Sequence, residues 1–184
     1  SQDEPVSAAD VPEGMRTAAV LAVAVALATR AAGEAPREMG HLSLDEGLSQ
    51  SIVEAIHQDR RGFLWFATED GLNRWDGYRF TVFRNDAGDS RTLSYNDLKA
   101  IAEDRSGALW IGTFEGGLNR LDPATGLVTR YRHDAGDPSS LPANIGRAVA
   151  EDRAGSIWAG TQGGGLARLD PATGGFERFR HDPA

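Results

Sequence analysis

The chain has 184 residues, a formal net charge of −8 and 22 glycines, and it contains no cysteine. The acidic balance repels nucleic acid, so we predict no nucleic-acid partner. The absence of cysteine excludes disulfides, thiolate zinc sites and thiol catalysis. The 4 histidines are scattered without the spacing of metal ligands. The sequence therefore predicts neither a metal site nor a cofactor.

The first 50 residues precede the repetitive part of the chain. Residues 1–14 form an acidic prefix that we do not expect to be the native start. Residues 15–35 begin with Met and Arg, continue as an apolar run too short to cross a bilayer, and end in small residues. This layout predicts a signal peptide with its cleavage region, and so export to the bacterial periplasm; a buried helix is the alternative. Residues 36–50 are a lead-in segment.

The rest of the chain repeats one unit three times. Trp65, Trp110 and Trp158 recur about every 45 residues, each between a D-R-x-G turn and a G-L-x-R segment. Each unit holds four short segments of strand-like pattern separated by turns that contain Gly, Pro or Asp. We therefore predict an all-β fold, an incomplete β-propeller of about three four-stranded antiparallel blades. The blades are expected at 51–96, 97–144 and 145–184, the third one truncated.

The repeated pattern resembles a known family. V-x-A-I-x-x-D-x-x-G-x-L-W-x-G-T followed by G-G-L-N-R-x-D is similar to the two-component regulator propeller repeat, and the resemblance runs from Leu42 to the C-terminus. It implies the periplasmic ligand-sensing region of a hybrid histidine kinase or diguanylate cyclase, and several members sense oligosaccharides. In such proteins a β-sandwich, a transmembrane helix and the output domain follow.

The number of repeated units determines which partners we expect. Three blades fall short of the ~4–8 of a closed propeller, so we expect a fragment without its output domain. Its expected partners are an oligosaccharide or other small ligand, and further blades of the parent chain or a second copy. Membrane attachment is expected only through downstream segments. A propeller carbohydrate-active enzyme and a secreted protein-binding scaffold are the alternatives.

Two kinds of repeated residue are predicted to be structural. The tryptophans are expected to pack between blades, because they occupy one position in a strand of every unit. The turn aspartates are expected to hydrogen-bond to their own backbone. These six residues are Trp65, Trp110, Trp158, Asp59, Asp104 and Asp152.

Ligand-binding residues are expected where the copies differ. The turn after the second strand and the connection between blades share one face, so variable residues of both segments should meet there. A sugar site requires an aromatic platform with carboxylates and amides nearby. The candidates are Glu69, Asp70, Tyr95, Phe114, Glu115 and Gln162. No catalytic constellation is predicted, because nothing marks a carboxylate pair or an activated nucleophile.

Overall fold

The computed structural model of the protein describes residues 42–180. The predicted prefix and signal peptide, and the start of the lead-in segment, lie outside the described residues. Within them there are twelve strands and no helix long and apolar enough to cross a membrane. The strands are β1 (Val53–Gln58), β2 (Leu64–Thr68), β3 (Gly71–Trp75), β4 (Phe80–Phe83), β5 (Leu98–Glu103), β6 (Leu109–Thr113), β7 (Leu118–Leu121), β8 (Val128–Tyr131), β9 (Gly146–Glu151), β10 (Ile157–Thr161), β11 (Gly165–Leu169) and β12 (Phe176–Phe179).

The strands form three four-stranded antiparallel sheets, each from four consecutive strands in chain order. We call these sheets blade 1 (β1–β4), blade 2 (β5–β8) and blade 3 (β9–β12). Their first strands are neighbours, because β5 contacts both β1 and β9. This arrangement confirms the predicted all-β fold of three propeller blades in an open array.

An aspartate fixes the turn between the first two strands of each blade. In blade 2, Asp104 Oδ1 accepts the backbone N–H groups of Ser106 at 2.8 Å and Ala108 at 3.1 Å. Its Oδ2 accepts the indole N–H of Trp110 at 2.8 Å. The same indole-to-carboxylate bond joins Trp65 to Asp59 at 2.9 Å and Trp158 to Asp152 at 2.8 Å. One side chain thereby shapes the turn and orients the tryptophan ring, which in blades 1 and 2 faces the next blade.

Two apolar cores hold the blades together, one at each interface. In the first core Trp65 of blade 1 packs with Ile111 of blade 2, and both side chains are fully buried. In the second core Trp110 of blade 2 packs with Ile157 of blade 3. Burying one such side chain contributes about 1.5–3 kcal/mol, so each blade depends on the next for much of its stability.

Candidate functional site

One end of the blades collects the turns after the second strands and the connections between blades. The backbone N–H of Gly71, after β2, donates to the carbonyl of Asn96, just before β5, at 2.8 Å. The equivalent bond joins Gly117 to Asn144, also at 2.8 Å. These bonds place the turns beside the connections, as the order of the turns predicts. We call this end of the molecule the connection face.

A β-bulge in the first strand of each blade presents one extra side chain to the connection face. In blade 1 the register with β2 shifts between Val53 and Ala55, which leaves Glu54 unpaired in the ladder. The same shift leaves Lys99 unpaired in blade 2 and Arg147 in blade 3. A bulge re-aims the side chain of its extra residue. Three different charged groups are therefore presented from one repeated backbone position.

Lys99 lies at the centre of a polar cluster between blades 1 and 2. Its Nζ is 2.6 Å from Glu54 Oε1 and 2.8 Å from Asp97 Oδ1, and its side chain is only 9% exposed. Burial lowers the pKa of Lys99, but the hydrogen bonds to Asp97 and Glu54 outweigh that effect, and the net pKa is raised. Lys99 is therefore a cation at neutral pH and joins the two blades through ion pairs.

Glu69 adds a third carboxylate to this cluster. Carboxylate oxygens of Glu54, Glu69 and Asp97 all lie within 4.8 Å of one another. Such a trio is close enough to share a cation, and the ammonium of Lys99 already lies against two of its members. One ammonium among three carboxylates leaves a surplus of negative charge. We describe the arrangement as an ion-pair cluster and not as a metal centre.

Two aromatic side chains flank the ion-pair cluster. The Nζ of Lys99 is 5.8 Å from the centroid of the Phe114 ring, within the range of a cation–π contact. Tyr95 is 37% exposed. The charge of Glu115 is the main cause of the raised pKa of the Tyr95 phenol, and Asp97 adds to it. Four of the six candidate ligand-binding residues thus gather at the junction of blades 1 and 2.

The side chains of the other two candidates have partners outside the ion-pair cluster. The carboxylate of Asp70 pairs with Arg84, with Nη2 and Oδ2 2.9 Å apart. Gln162 lies in blade 3, where its Oε1 accepts hydrogen bonds from Arg147 Nε at 2.8 Å and Nη2 at 2.6 Å. The six candidate residues therefore belong to three groups: the cluster between blades 1 and 2, the Asp70–Arg84 ion pair, and the Arg147–Gln162 pair in blade 3.

Five residues that complete these groups are absent from the sequence-based prediction. They are Glu54, Arg84, Asp97, Lys99 and Arg147. Three of them occupy the bulge position, where the sequence does indicate variation between the copies. That position is Glu in the first copy, Lys in the second and Arg in the third, whereas the residue after it is Ala in every copy.

Two surface concavities lie away from the ion-pair cluster. One, of about 330 Å³, is lined by the turns at the opposite end of blades 1 and 2. Its Arg60 pairs with Glu103 at 2.7 Å and donates to the carbonyls of Asp104 and Arg105. The other, of about 560 Å³, lies between blades 2 and 3 and includes Tyr131 in its wall. The interblade contacts of Arg60 make the first concavity part of the scaffold.

The ion-pair cluster is suited to binding a hydroxyl-rich ligand. Its carboxylates are hydrogen-bond acceptors, and the exposed ring of Tyr95 and the half-buried ring of Phe114 offer apolar faces. Hydrolysis of a glycosidic bond requires one protonated carboxyl group beside an ionised one. Two of the carboxylates here, Glu54 and Asp97, are instead held by the ammonium of Lys99 at 2.6 Å and 2.8 Å. The geometry therefore supports binding better than acid–base chemistry.

Comparisons with known proteins agree with this architecture. The family model described as two component regulator propeller matches residues 47–70 and 92–115. Histidine kinase P4 of Formosa agariphila is 51% identical over 49 residues, which are 27% of this chain and 4% of that protein.

Solved structures match over more of the chain. The extracellular domain of a hybrid two-component system from B. thetaiotaomicron is 33% identical, with a TM-score of 0.71, over 76% of this chain and 20% of that one. A second such domain is 30% identical, with a TM-score of 0.55, over 66% of this chain and 17% of that one. The chain thus spans a fifth or less of these relatives.

The sequence repeats, the three blades and these matches point to one assignment. Both family-model matches begin before the first strand of a blade and end in the turn after its second strand, so they include the bulge and the turn that build the connection face. Residues 47–70 and 92–115 match the two-component regulator propeller repeat, and the three blades are similar to those of the extracellular domains of hybrid two-component systems.

Proposed function

We propose that this chain is the ligand-sensing part of an exported bacterial signalling protein, and that the ligand binds on the connection face at the junction of blades 1 and 2. The output domain of such a protein would be a histidine kinase or a diguanylate cyclase. The relatives described as extracellular domains of hybrid two-component systems support this proposal. The signal-peptide pattern in the sequence supports export to the periplasm.

The bulge position is the observation that carries the proposal. The scaffold is the same in all blades, with an aspartate-fixed turn and a tryptophan bonded to that aspartate in each. The bulge position instead varies from Glu54 to Lys99 to Arg147, and the turn beside it varies as well. A purely structural position would not need three different charged groups at one repeated point. Recognition of an asymmetric ligand accounts for that variation.

An oligosaccharide is the ligand class that fits the junction best. Phe114 and the exposed Tyr95 provide ring faces for the apolar side of a sugar. Glu69 and Glu115 are exposed and provide acceptors for sugar hydroxyl groups. The protein therefore offers both kinds of contact within one surface region.

A glycan array probed with the whole chain tests this proposal, followed by calorimetric titration of each oligosaccharide that binds. We expect Phe114→Ala and Glu115→Gln each to weaken binding about ten-fold or more, because each removes a direct contact. Arg61→Ala is the control, since Arg61 is exposed in a turn at the opposite end. Equal binding by all four proteins contradicts the proposed location.

Two other outcomes identify the alternative functions. Turnover of an oligosaccharide that is lost in Glu115→Gln would identify a carbohydrate-active enzyme. An array without any bound oligosaccharide, together with a protein captured by the chain, would identify a protein-binding scaffold. Either result would overturn the sensor proposal in its present form.

A further inference from the structure

The bulge residue of blade 3 lacks the acidic partners that its equivalent in blade 2 has. Lys99 pairs with Glu54, the bulge residue one blade back, and with Asp97, two positions before it. At the corresponding positions around Arg147 the chain has Lys99 and Ile145. Among residues 42–180, no carboxylate lies within ion-pair distance of the Arg147 guanidinium.

A neutral amide holds the Arg147 guanidinium in place. Gln162 Oε1 accepts hydrogen bonds from Nε at 2.8 Å and Nη2 at 2.6 Å. A guanidinium has five N–H donors, so three remain unused by this contact. Both side chains are exposed on the connection face. The amide orients the positive group without neutralising it.

Arg147 also differs from the arginines that join the blades at the opposite end. Arg60 donates to the backbone carbonyls of Arg105 and Asp104. Arg105 does the same to Asp152 and Arg153. Within the described part of the chain the side chain of Arg147 donates only to Gln162. A structural role of the kind seen for Arg60 therefore does not account for it.

We infer that Arg147 binds an anionic group of the ligand, a carboxylate or a sulfate ester on an acidic oligosaccharide. This inference rests on the proposed function, because it assumes that the ligand lies on the connection face. A fixed guanidinium fork matches the oxygens of such a group and binds them through charge-assisted hydrogen bonds. Arg147 is thus the specificity-determining residue of the connection face.

The ion-pair cluster sets the orientation of that ligand. Glu54, Glu69 and Asp97 outnumber the ammonium of Lys99, so the junction of blades 1 and 2 repels an anion. The acidic group is therefore directed toward blade 3, and the neutral rings of the ligand lie against blades 1 and 2. Binding of the acidic group should weaken with added salt, because the contact is exposed.

Titration of the whole chain with three matched probe sets tests the inference. The probes are oligouronates, the same oligouronates with their carboxyl groups reduced to alcohols, and sulfated oligosaccharides of equal length. Arg147→Gln is expected to weaken binding of an acidic probe roughly ten- to hundred-fold and to leave the reduced probe unchanged. Arg147→Lys should recover part of the loss, and Arg61→Gln serves as the matched control at the opposite end.

The outcomes separate this inference from the proposed function. Equal affinity of Arg147→Gln and the parent chain for acidic probes, with binding retained, overturns the inference and leaves the sensor proposal standing. An equal loss of affinity for the acidic and the reduced probes also overturns the inference, since Arg147 would then position the site and not bind the acidic group. Failure of every oligosaccharide to bind overturns the proposed function itself. Thermal unfolding of each variant verifies that it is folded.

Discussion

Blades 2 and 3 have nearly the same sequence pattern but different surroundings. Leu118 and Leu166 occupy the same position in the third strand, yet Leu118 is fully buried and Leu166 is 42% exposed. The tryptophans differ in the same direction, because Trp110 is 2% exposed and Trp158 is only partly buried. Blade 3 covers that face of blade 2, whereas no described residue covers the same face of blade 3 to that extent. The repeat encodes a docking face, and that face contributes to stability only when another blade lies against it.

A second difference between the two blades concerns paired polar groups. In blade 2, Asn119 Oδ1 accepts the backbone N–H of Ser94 at 2.9 Å, and its Nδ2 donates to Ser94 Oγ at 2.7 Å. Blade 3 has Ala167 in place of Asn119 and Pro142 in place of Ser94. Proline has no N–H, so the missing acceptor leaves no donor unsatisfied. The two changes compensate for each other within one repeat.

The largest effect is expected from removal of the repeated tryptophans. Trp110→Ala should lower the free energy of unfolding by about 3–5 kcal/mol, because it leaves a cavity in the core between blades 2 and 3. Trp158→Ala should cost less than about half as much, since its ring is partly in water already. Urea unfolding of both variants measures the two values. Equal losses of unfolding free energy would contradict the difference in burial between the two tryptophans.

The Asn119–Ser94 pair should give the next largest effect. Asn119→Ala should cost about 1–3 kcal/mol, because the buried N–H of Ser94 then has no acceptor. Adding Ser94→Pro, which reproduces the blade 3 combination, should recover part of that cost. A double-mutant cycle on unfolding free energies measures the coupling. Strict additivity of the two changes would contradict the compensation.

A smaller effect is expected at the arginines of the opposite end. Arg105 donates to the carbonyls of Asp152 and Arg153, while its side chain is 60% exposed. Arg105→Ala should therefore cost only about 0.5–1 kcal/mol. Arg153 is exposed and occupies the same position in blade 3, so Arg153→Ala should change stability by less than about 0.5 kcal/mol. Thermal unfolding at matched concentration compares them, and a larger loss for Arg153 would reverse the expected order.

The turn aspartates should show the smallest difference between blades. Burial raises the pKa of Asp104, but hydrogen bonds from Ser106, Trp110 and the backbone outweigh it and hold the pKa below its usual 3.8. In Asp152 the bond from Trp158 is the first cause of the lowered pKa. A carboxyl group whose pKa is lower in the folded protein than in the unfolded chain stabilises the fold at pH values above its unfolded pKa. This stabilisation is lost as the pH falls through the folded pKa.

Stability measured from pH 6 down to pH 3 tests that linkage. Asp104→Asn and Asp152→Asn should each reduce the acid-dependent loss of stability, and by similar amounts, because the bonds are local to each turn. A clearly unequal reduction would show that the neighbouring blade controls the turn after all.

The strands and turns were predictable because the repeat presents each feature three times. One of the predicted strand-like segments of the second unit, for example, is observed as β5, Leu98–Glu103. The bulges were not predicted, since Lys99 within a strand reads as an ordinary outward-facing residue. The pairing of Asp70 with Arg84 was not predicted either, because Arg84 follows β4 and the sequence does not show that this residue lies beside the turn after β2. Turn variability shows where function can lie but not which way a side chain points.

Hydrogen–deuterium exchange of the whole chain, with and without the oligosaccharide that binds most tightly on the array, tests whether the ligand binds on the connection face. We expect slower exchange on binding at 95–99 and 113–116, the segments that surround Lys99 and Phe114. We expect no change at 104–107, the turn at the opposite end of blade 2. Protection confined to 104–107, or to the exposed face of blade 3, would contradict a ligand site on the connection face.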